Sequence, residues 1–260
     1  MVQQPQQVEI QEGVVYGHTD GIDLQCDVFK PTEPLGPGIL LLHGGGYAQG
    51  SRAMMRGYGI QMGRRGYTCV SASYRLTDVA PWPAQQRDVE AAIAWMQANH
   101  ISLGIDPSKL VLWGNSAGGH MALLLSATLN NAAAASAASR PVAAAIGYYP
   151  ITVYEAAMGT CWTQFCPPMF PGGGSAQQWH EISPLTHASA NCPPTLLLHG
   201  ATDEIVVASQ STRYFDALER AKVPVELHIY AGQPHAFDFD RTFALHTLDV
   251  AALFIGRYVP

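Results

Sequence analysis

Residues 109–118 read KLVLWGNSAG and join an apolar run to a second apolar segment at 119–125. The first run predicts a buried strand and the second predicts a helix. A serine between a strand and a helix, with a glycine two residues to each side, is typical of a tight turn that exposes the serine hydroxyl. Ser116 is therefore a candidate nucleophile, although such small-residue patterns also arise by chance in a chain with 25 glycines.

Strand and helix patterns alternate along the rest of the chain. Short apolar runs bounded mostly by Gly or Pro predict strands at 38–42, 67–72, 109–113, 142–148, 195–198 and 225–230. Helical spacing of apolar residues predicts helices at 53–65, 83–100, 117–129, 208–222 and 243–258. This alternation predicts an α/β fold, in which a mostly parallel twisted sheet carries helices on both faces.

Three further segments refine this arrangement. Residues 13–19 and 23–30 predict an antiparallel hairpin, because Asp20-Gly21 between them suits a tight turn. Residues 130–140 are rich in alanine and serine and predict the end of a helix followed by a surface loop. Residues 152–183 form a long, aromatic-rich connection, and we expect a small lid there beside the site, with packing of its aromatics onto the sheet as the alternative.

Composition limits the class of protein. The chain has 260 residues, of which 48% are hydrophobic and 13% charged, so we expect one domain over 1–260. A formal net charge of −6 without a basic run argues against nucleic acid or an anionic membrane as partner. Residues 1–11 lack the pattern of a signal peptide, and no apolar run approaches the roughly 18 residues of a membrane span. We therefore expect a soluble, cytoplasmic protein.

The five cysteines do not have the paired short spacings of zinc sites, so we predict no metal. Cys26 and Cys69 lie in strand-like runs and are expected to be buried small hydrophobes. Cys161 and Cys166 share an irregular segment and could close a small loop. Two reduced thiols are the favoured alternative in a cytosolic chain.

A serine nucleophile needs a base and a carboxylate that orients it. Catalytic groups of such sheets follow the carboxyl ends of strands, which selects Asp203 after 195–198 and His235 after 225–230. Glu204 is the alternative acid, but a shift of one residue turns its side chain away. His180 and His187 are alternative bases, whereas His199 is expected to shape the loop that carries Asp203.

Residues 43–47 read HGGGY and follow the predicted strand 38–42. Successive glycines let backbone N–H groups point at a ligand without a Cβ in the way, as an oxyanion site requires. A glycine-rich turn that only reverses the chain is the alternative. That alternative is weak when the same chain also carries the serine turn and the downstream Asp and His.

Taken together, five motifs resemble the esterases of the α/β-hydrolase superfamily: residues 43–46, 74–76, 82–84, 114–120 and 199–203. The likeness spans about residues 20–258 and is greatest to the compact bacterial BD-FAE-like esterases, near the hormone-sensitive-lipase esterases and the kynurenine formamidases. Hormone-sensitive-lipase relatives usually carry a longer N-terminal cap and an Asp at the position of Asn115. Kynurenine formamidases usually carry an aromatic residue earlier in the glycine motif.

The resemblance implies a hydrolase of carboxylic esters or amides that needs no cofactor. It also implies Ser116, Asp203 and His235 as the triad, in the chain order of α/β-hydrolases, and N–H groups of Gly45, Gly46 and Ala117 as the oxyanion hole. Because the N-terminus is short, any cap would come from 152–183, which favours small or polymer-attached acyl groups over long-chain lipid. Candidate pocket walls are aromatic: Tyr47, Trp82, Trp162 and Phe170.

We expect acyl transfer from a small-molecule ester through an acyl-enzyme, with acyl groups from acetyl to butyryl. Alternatives within enzymes are an arylformamidase or other amide hydrolase, and a carbohydrate acetyl or feruloyl esterase. A non-catalytic receptor with this fold is the alternative from another class. A homodimer through the last strand and helix also stays open.

Overall fold

The structure is a computed structural model that describes residues 5–136, 141–154 and 169–260. Eight strands of these residues form one sheet in the order β1-β2-β4-β3-β5-β6-β7-β8. In chain order, the strands are β1 Val8–Thr19, β2 Ile22–Pro31, β3 Gly38–Leu42, β4 Thr68–Ala72, β5 Leu110–Asn115, β6 Ala144–Tyr148, β7 Thr195–Gly200 and β8 Val225–Tyr230.

The sheet is antiparallel in its first two strand pairs and parallel in the others. β1 and β2 pair antiparallel through the Asp20-Gly21 turn, where both residues have positive φ, and β2 pairs antiparallel with β4. All pairs from β4 through β3, β5, β6 and β7 to β8 are parallel. The carboxyl ends of β3, β5, β7 and β8 therefore lie at the same edge of the sheet.

Helices connect the parallel strands: α1 Arg56–Arg64, α2 Ala84–Ala98, α3 His100–Leu103, α4 Ala117–Ala135, α5 Ala176–Glu181, α6 Ser209–Arg220 and α7 Arg241–Tyr258. Two predicted helices take a different form, of which 83–100 divides into α2 and α3 at Asn99. The segment 53–65 begins as a 3₁₀ turn, Arg52–Met55, before α1. α4 continues to Ala135 and so ends within 130–140, as predicted, because a run of alanine, the best helix former, extends a helix even without an amphipathic pattern.

The sheet is packed on both faces, as its strand sequences require. In β5, Leu110 and Leu112 face a cluster with α2 and α4, whereas Val111 and Trp113 face a cluster with α1 and α7. Every residue of β5 is buried, which is typical of a central parallel strand. The predicted α/β-hydrolase architecture, a mostly parallel sheet with helices on both faces, is confirmed.

The expected lid lies only partly within the described residues. Residues 155–168, with Trp162, Cys161 and Cys166, lie outside them. The remainder contains a 3₁₀ turn at Pro171–Gly173 and the short helix α5, and the carbonyl of Met169 accepts a hydrogen bond from the amide of Trp82 at 2.9 Å. A lid over the site thus stays a prediction.

In the described ranges, no helix has the length and apolar character to cross a membrane.

Candidate active site

Ser116 lies at the apex of a sharp turn between β5 and α4. Its φ of 55° and ψ of −117° are unusual for a residue with a side chain. The turn is possible because the residues two positions before and after the serine lack a Cβ. A Cβ at Gly114 would lie 2.0 Å from the carbonyl oxygen of Gly118, and one at Gly118 would lie 2.1 Å from the carbonyl oxygen of Leu42. Backbone packing around these two glycines therefore fixes the position of the hydroxyl.

The structure brings Ser116, His235 and Asp203 together although they are far apart in the chain. The Nε2 atom of His235 lies 3.0 Å from Oγ of Ser116, and its Nδ1 atom lies 2.6 Å from Oδ2 of Asp203. With Nδ1 protonated and donating to the carboxylate, Nε2 is free to accept the serine proton. This arrangement can activate a serine hydroxyl as a nucleophile.

Asp203 is held as a buried, multiply hydrogen-bonded carboxylate. Its Oδ1 atom accepts from the amides of Ile205 at 2.9 Å and Val206 at 2.8 Å, while Oδ2 lies 3.3 Å from Nε2 of His199. Burial raises the pKa of Asp203, but hydrogen bonds from His199 and His235 outweigh it and hold the pKa well below its usual range. Asp203 is therefore charged at neutral pH.

The alternative acid and bases lie elsewhere. Glu204 is exposed beside Asp203, and His180 is exposed on α5. The Nε2 atom of His187 contacts the carbonyl oxygen of Glu181 at 2.7 Å. His199 is fully buried between Oγ of Ser211 and the carbonyl oxygen of Val206, each at 2.7 Å, so it braces the loop that carries Asp203.

The glycine loop after β3 lies against the serine turn. Gly45 and Gly46 have φ of 111° and 61°, and a Cβ at Gly44 would lie 3.2 Å from Cβ of Ser116. Among the described residues, no group accepts a hydrogen bond from the amides of Gly45, Gly46 or Ala117. Ala117 is the first residue of α4, where amides are free and the helix dipole favours negative charge. These three donors suit an oxyanion.

A cavity of about 230 Å³ opens at Ser116 and is mainly apolar. Its wall contains the glycine loop, His235 and the following residues: Gln49, Met54, Met55, Asn115, Tyr149, Ile205, Ala236 and Phe239. None of these is a lysine, an arginine or a carboxylate. A neutral, apolar group fits this surface better than an anion, because an anion would lose its hydration without gaining a cation.

The described aromatic wall candidates are not among the residues that line this cavity. Tyr47 is fully buried with its hydroxyl 2.8 Å from the carbonyl oxygen of Ala117, so it ties the glycine loop to the serine turn. Trp82 packs edge-on against Tyr47, and Phe170 packs edge-on against Trp179. Trp162 lies outside the described residues.

Sequence reasoning missed the residues that form the wall and support the site. Met54, Ile205 and Phe239 are exposed apolar side chains at the cavity, and exposure cannot be read from a local pattern. Tyr149 and Asp238 lie next to the triad only because β6 and the segment after His235 converge there. The described ranges contain no cluster of three or more His, Cys, Asp or Glu side chains that could hold a metal ion.

A comparison with models of known protein families identifies the family of this chain. The sequence model of the BD-FAE family matches residues 26–218, well over half of the chain. The chain belongs to the BD-FAE family. The resemblance derived from the motifs is thus confirmed. Ser116, Asp203 and the glycine loop all lie inside the matched range.

Two relatives of this BD-FAE chain are named as a carboxylic ester hydrolase and an esterase. It is 30% identical over 257 residues to a probable carboxylic ester hydrolase, LipM, of Mycobacterium tuberculosis, covering 93% of the chain and 59% of the relative. Esterase LipC of the same organism is 28% identical, covering 87% and 59%. The chain thus spans about three fifths of the length of these relatives.

Solved structures cover the chain more fully. The apo form of Thermogutta terrifontis esterase 2 superimposes with a TM-score of 0.79 at 25% identity, covering 97% of this chain and 94% of that protein. The same esterase with propionate bound has a TM-score of 0.78 at 25% identity, with 97% and 94% covered. These similarities agree with the α/β-hydrolase fold of the BD-FAE chain.

Proposed function

We propose that the protein is a serine carboxylesterase that hydrolyses esters of short acyl groups. One observation carries the proposal. Hydrogen bonds connect Ser116 to His235 and His235 to Asp203, and Ser116 lines a mainly apolar cavity. The amides of Gly45, Gly46 and Ala117, which have no acceptor among the described residues, lie beside it. LipM is named as a probable carboxylic ester hydrolase and LipC as an esterase, which supports the same chemistry.

The chemistry follows from the positions of these atoms. Ser116 attacks the ester carbonyl while Nε2 of His235 takes the hydroxyl proton, and Asp203 stabilises the imidazolium that forms. The amides of Gly45, Gly46 and Ala117 hold the oxyanion. His235 then donates its proton to the leaving alcohol, and a water molecule hydrolyses the acyl-enzyme by the same steps in reverse order.

The preference for short acyl groups rests on the size of the cavity. Its volume of about 230 Å³ lies below the range of roughly 300–1,000 Å³ that is usual for pockets of drug-sized ligands. An acetyl to butyryl group fits such a volume, whereas a dodecanoyl chain would have to leave it. Thermogutta esterase 2 is known with propionate and with butyrate bound, which supports the same size class.

The test compares initial rates on p-nitrophenyl acetate, butyrate, octanoate and laurate with the rate on N-formylkynurenine, for the wild type and Ser116→Ala. We expect the highest kcat/KM on acetate or butyrate and its loss in Ser116→Ala. Faster turnover of the formamide than of every ester would replace the proposal by an amide hydrolase. Acetylated xylan and methyl ferulate as further substrates test a carbohydrate esterase in the same way.

A further inference from the structure

A second buried carboxyl group, Asp238, lies beside the triad. It belongs to the 3₁₀ turn Phe237–Phe239, three residues after His235, and is only 3% exposed. Among the residues that the structure describes, no cationic side chain pairs with it. Burying a carboxyl group without a cation costs free energy, and an apolar side chain of the same size would avoid that cost. The position of Asp238 therefore needs another explanation.

A cycle of hydrogen bonds joins four polar side chains, those of Asp238, Tyr58, Tyr149 and Asn115. We call these four residues the Asp238 ring. Oδ1 of Asp238 accepts from the Tyr149 hydroxyl at 2.7 Å, and Oδ2 accepts from the Tyr58 hydroxyl and from Nδ2 of Asn115, the latter at 3.1 Å. Nδ2 of Asn115 also contacts the hydroxyls of Tyr58 at 2.9 Å and Tyr149 at 3.2 Å. Because a carboxylate only accepts, both hydroxyls donate to Asp238 and present lone pairs to the amide.

Two members of the Asp238 ring touch the catalytic groups. Asn115 directly precedes Ser116 in the chain, so its amide anchors the serine turn. The ring of Tyr149 meets the imidazole of His235 at 4.5 Å between centroids and an interplanar angle of 61°. Both Asn115 and Tyr149 also belong to the cavity wall.

The backbone of Tyr149 needs such an anchor. Its φ of 39° lies in the left-handed region, which is unfavourable for a residue with an aromatic side chain. The side chain is 2% exposed, and within the described residues its hydroxyl contacts only members of the Asp238 ring. Loss of the acceptor on Asp238 would therefore release the side chain that packs against His235.

We propose that Asp238 is a positioning residue for the esterase reaction: through Tyr149 and Asn115 it holds the imidazole of His235 and the serine turn at their working separation. This inference rests on the proposed function, and Asp238 itself touches neither substrate nor reacting atoms. Burial raises the pKa of Asp238 to about 7, so assays at pH 8 measure the charged, acceptor-only form.

The test uses Asp238→Asn, Tyr149→Phe and the double variant, with Asp240→Asn as the matched control. Asn keeps the size of the side chain but turns an N–H group towards a hydroxyl that needs an acceptor. Asp240 lies two residues further on, is exposed, and accepts from the amide of Thr242 at 2.8 Å at the start of α7. Its replacement by Asn removes a nearby charge, keeps a side-chain oxygen that can cap α7, and does not touch the ring.

For p-nitrophenyl butyrate at pH 8, we expect kcat of Asp238→Asn to fall about 10- to 100-fold with KM changed less than threefold, because a small misplacement of catalytic groups costs rates of this order. Tyr149→Phe should fall similarly, and the double variant should be no slower than Asp238→Asn. Asp240→Asn should keep the wild-type kcat at temperatures below its unfolding transition.

A second readout separates the two claims. The rate constant for phosphorylation of the serine by paraoxon should fall by the same factor as kcat in Asp238→Asn. If the wild type hydrolyses no ester, the proposed function fails while the paraoxon rates still decide the inference. If Asp238→Asn folds and keeps more than half of the wild-type kcat and paraoxon rate, or if the losses of the two single variants multiply in the double variant, the positioning role is refuted.

Discussion

Among single residues, Asp203 is the one on which the proposed role of His235 as a base depends. Four hydrogen-bond donors surround its carboxylate, and its depressed pKa keeps it charged. Replacement by Asn would leave the imidazole without a charged partner and favour the wrong tautomer. We expect Asp203→Asn to lower kcat on p-nitrophenyl butyrate by roughly 10³- to 10⁴-fold.

The adjacent residue provides the control for this prediction. Glu204 carries the same charge but is exposed, so Glu204→Gln should retain at least half of the wild-type kcat. Equal losses in the two variants would mean that general negative charge near the cavity, and not the contact with His235, supports activity.

Asp238 makes stability depend on pH in a direction opposite to that of Asp203. Its pKa of about 7 in the folded state exceeds the ordinary value of 3.8, so its contribution is complete below the unfolded pKa and is lost as pH rises through 7. From pH 5.5 to 8.5, the free energy of unfolding of the wild type should fall relative to Asp238→Asn by about 2 kcal/mol.

Urea unfolding of both proteins at several pH values measures this difference. Asp203 does not confound it, because a depressed carboxyl pKa keeps its stabilisation above the unfolded pKa and loses it only as pH falls through the folded value. Parallel pH profiles of the wild type and Asp238→Asn would contradict a raised pKa for Asp238.

For single residues, the local sequence was sufficient to identify the candidate nucleophile, acid and base. Ser116, Asp203 and His235 each follow a recognisable strand, so their convergence could be predicted from the direction of a parallel sheet. Asp238 could not be predicted, because its burial depends on Tyr58 of α1 and Tyr149 after β6, and no spacing in the chain links them.

Among structural elements, the glycine loop after β3 depends on the absence of side chains. A Cβ at Gly45 would lie 2.0 Å from the carbonyl oxygen of Gln49, and its φ of 111° is strained for any other residue. Gly45→Ala should therefore displace the loop and lower kcat/KM on p-nitrophenyl butyrate by about 10²- to 10³-fold, the usual effect of losing an oxyanion donor.

Gly57 of α1 provides the control, because a Cβ there meets no atom within 4 Å and φ is not positive. Gly57→Ala should leave kcat/KM unchanged and raise the free energy of unfolding by about 0.5–1 kcal/mol, since Ala is the better helix former. Unchanged kcat/KM in Gly45→Ala would exclude this loop from the oxyanion site.

Sequence patterns predicted most elements but not all of their ends. Strands 38–42 and 225–230 have the predicted bounds, because each is bordered by Gly, Pro or turn residues. The end of α4 falls within 130–140, as predicted, but the apolar pattern does not locate it at Ala135, since alanines at 132–135 carry no amphipathic signal and yet extend the helix. A pattern of apolar residues indicates where a helix packs, not where it stops.

In the whole molecule, α7 packs on one face of the sheet, whereas Ser116, Asp203 and His235 lie at the edge formed by the carboxyl ends of the strands. Phe254 of α7 is fully buried in the cluster on one face of the sheet, whereas Leu253 is 65% exposed. Phe254→Ala should lower the free energy of unfolding by about 3–5 kcal/mol, and Leu253→Ala by less than about 0.5 kcal/mol.

Activity should not follow this loss of stability. Below its unfolding transition, Phe254→Ala should keep the wild-type kcat per active site, as titrated with paraoxon. A loss of kcat in proportion to the loss of stability would show that packing at α7 is coupled to the triad.

The global architecture could be predicted from the sequence because short, mainly apolar runs such as 38–42 and 109–113 alternate with longer segments of helical pattern. The cavity did not follow, because Met54, Ile205 and Phe239 reach it from three separate connections. Its size, and with it the acyl preference, depends on how those connections pack.

The most direct test of the central claim is the site and rate of modification by paraoxon, which releases p-nitrophenol when it phosphorylates an activated serine. The wild type should release one p-nitrophenol per chain, with the phosphoryl group on the peptide that contains Ser116. His235→Ala should react at least about 10³-fold more slowly. Modification elsewhere, or an equal rate in His235→Ala, would contradict the activation of Ser116 by His235.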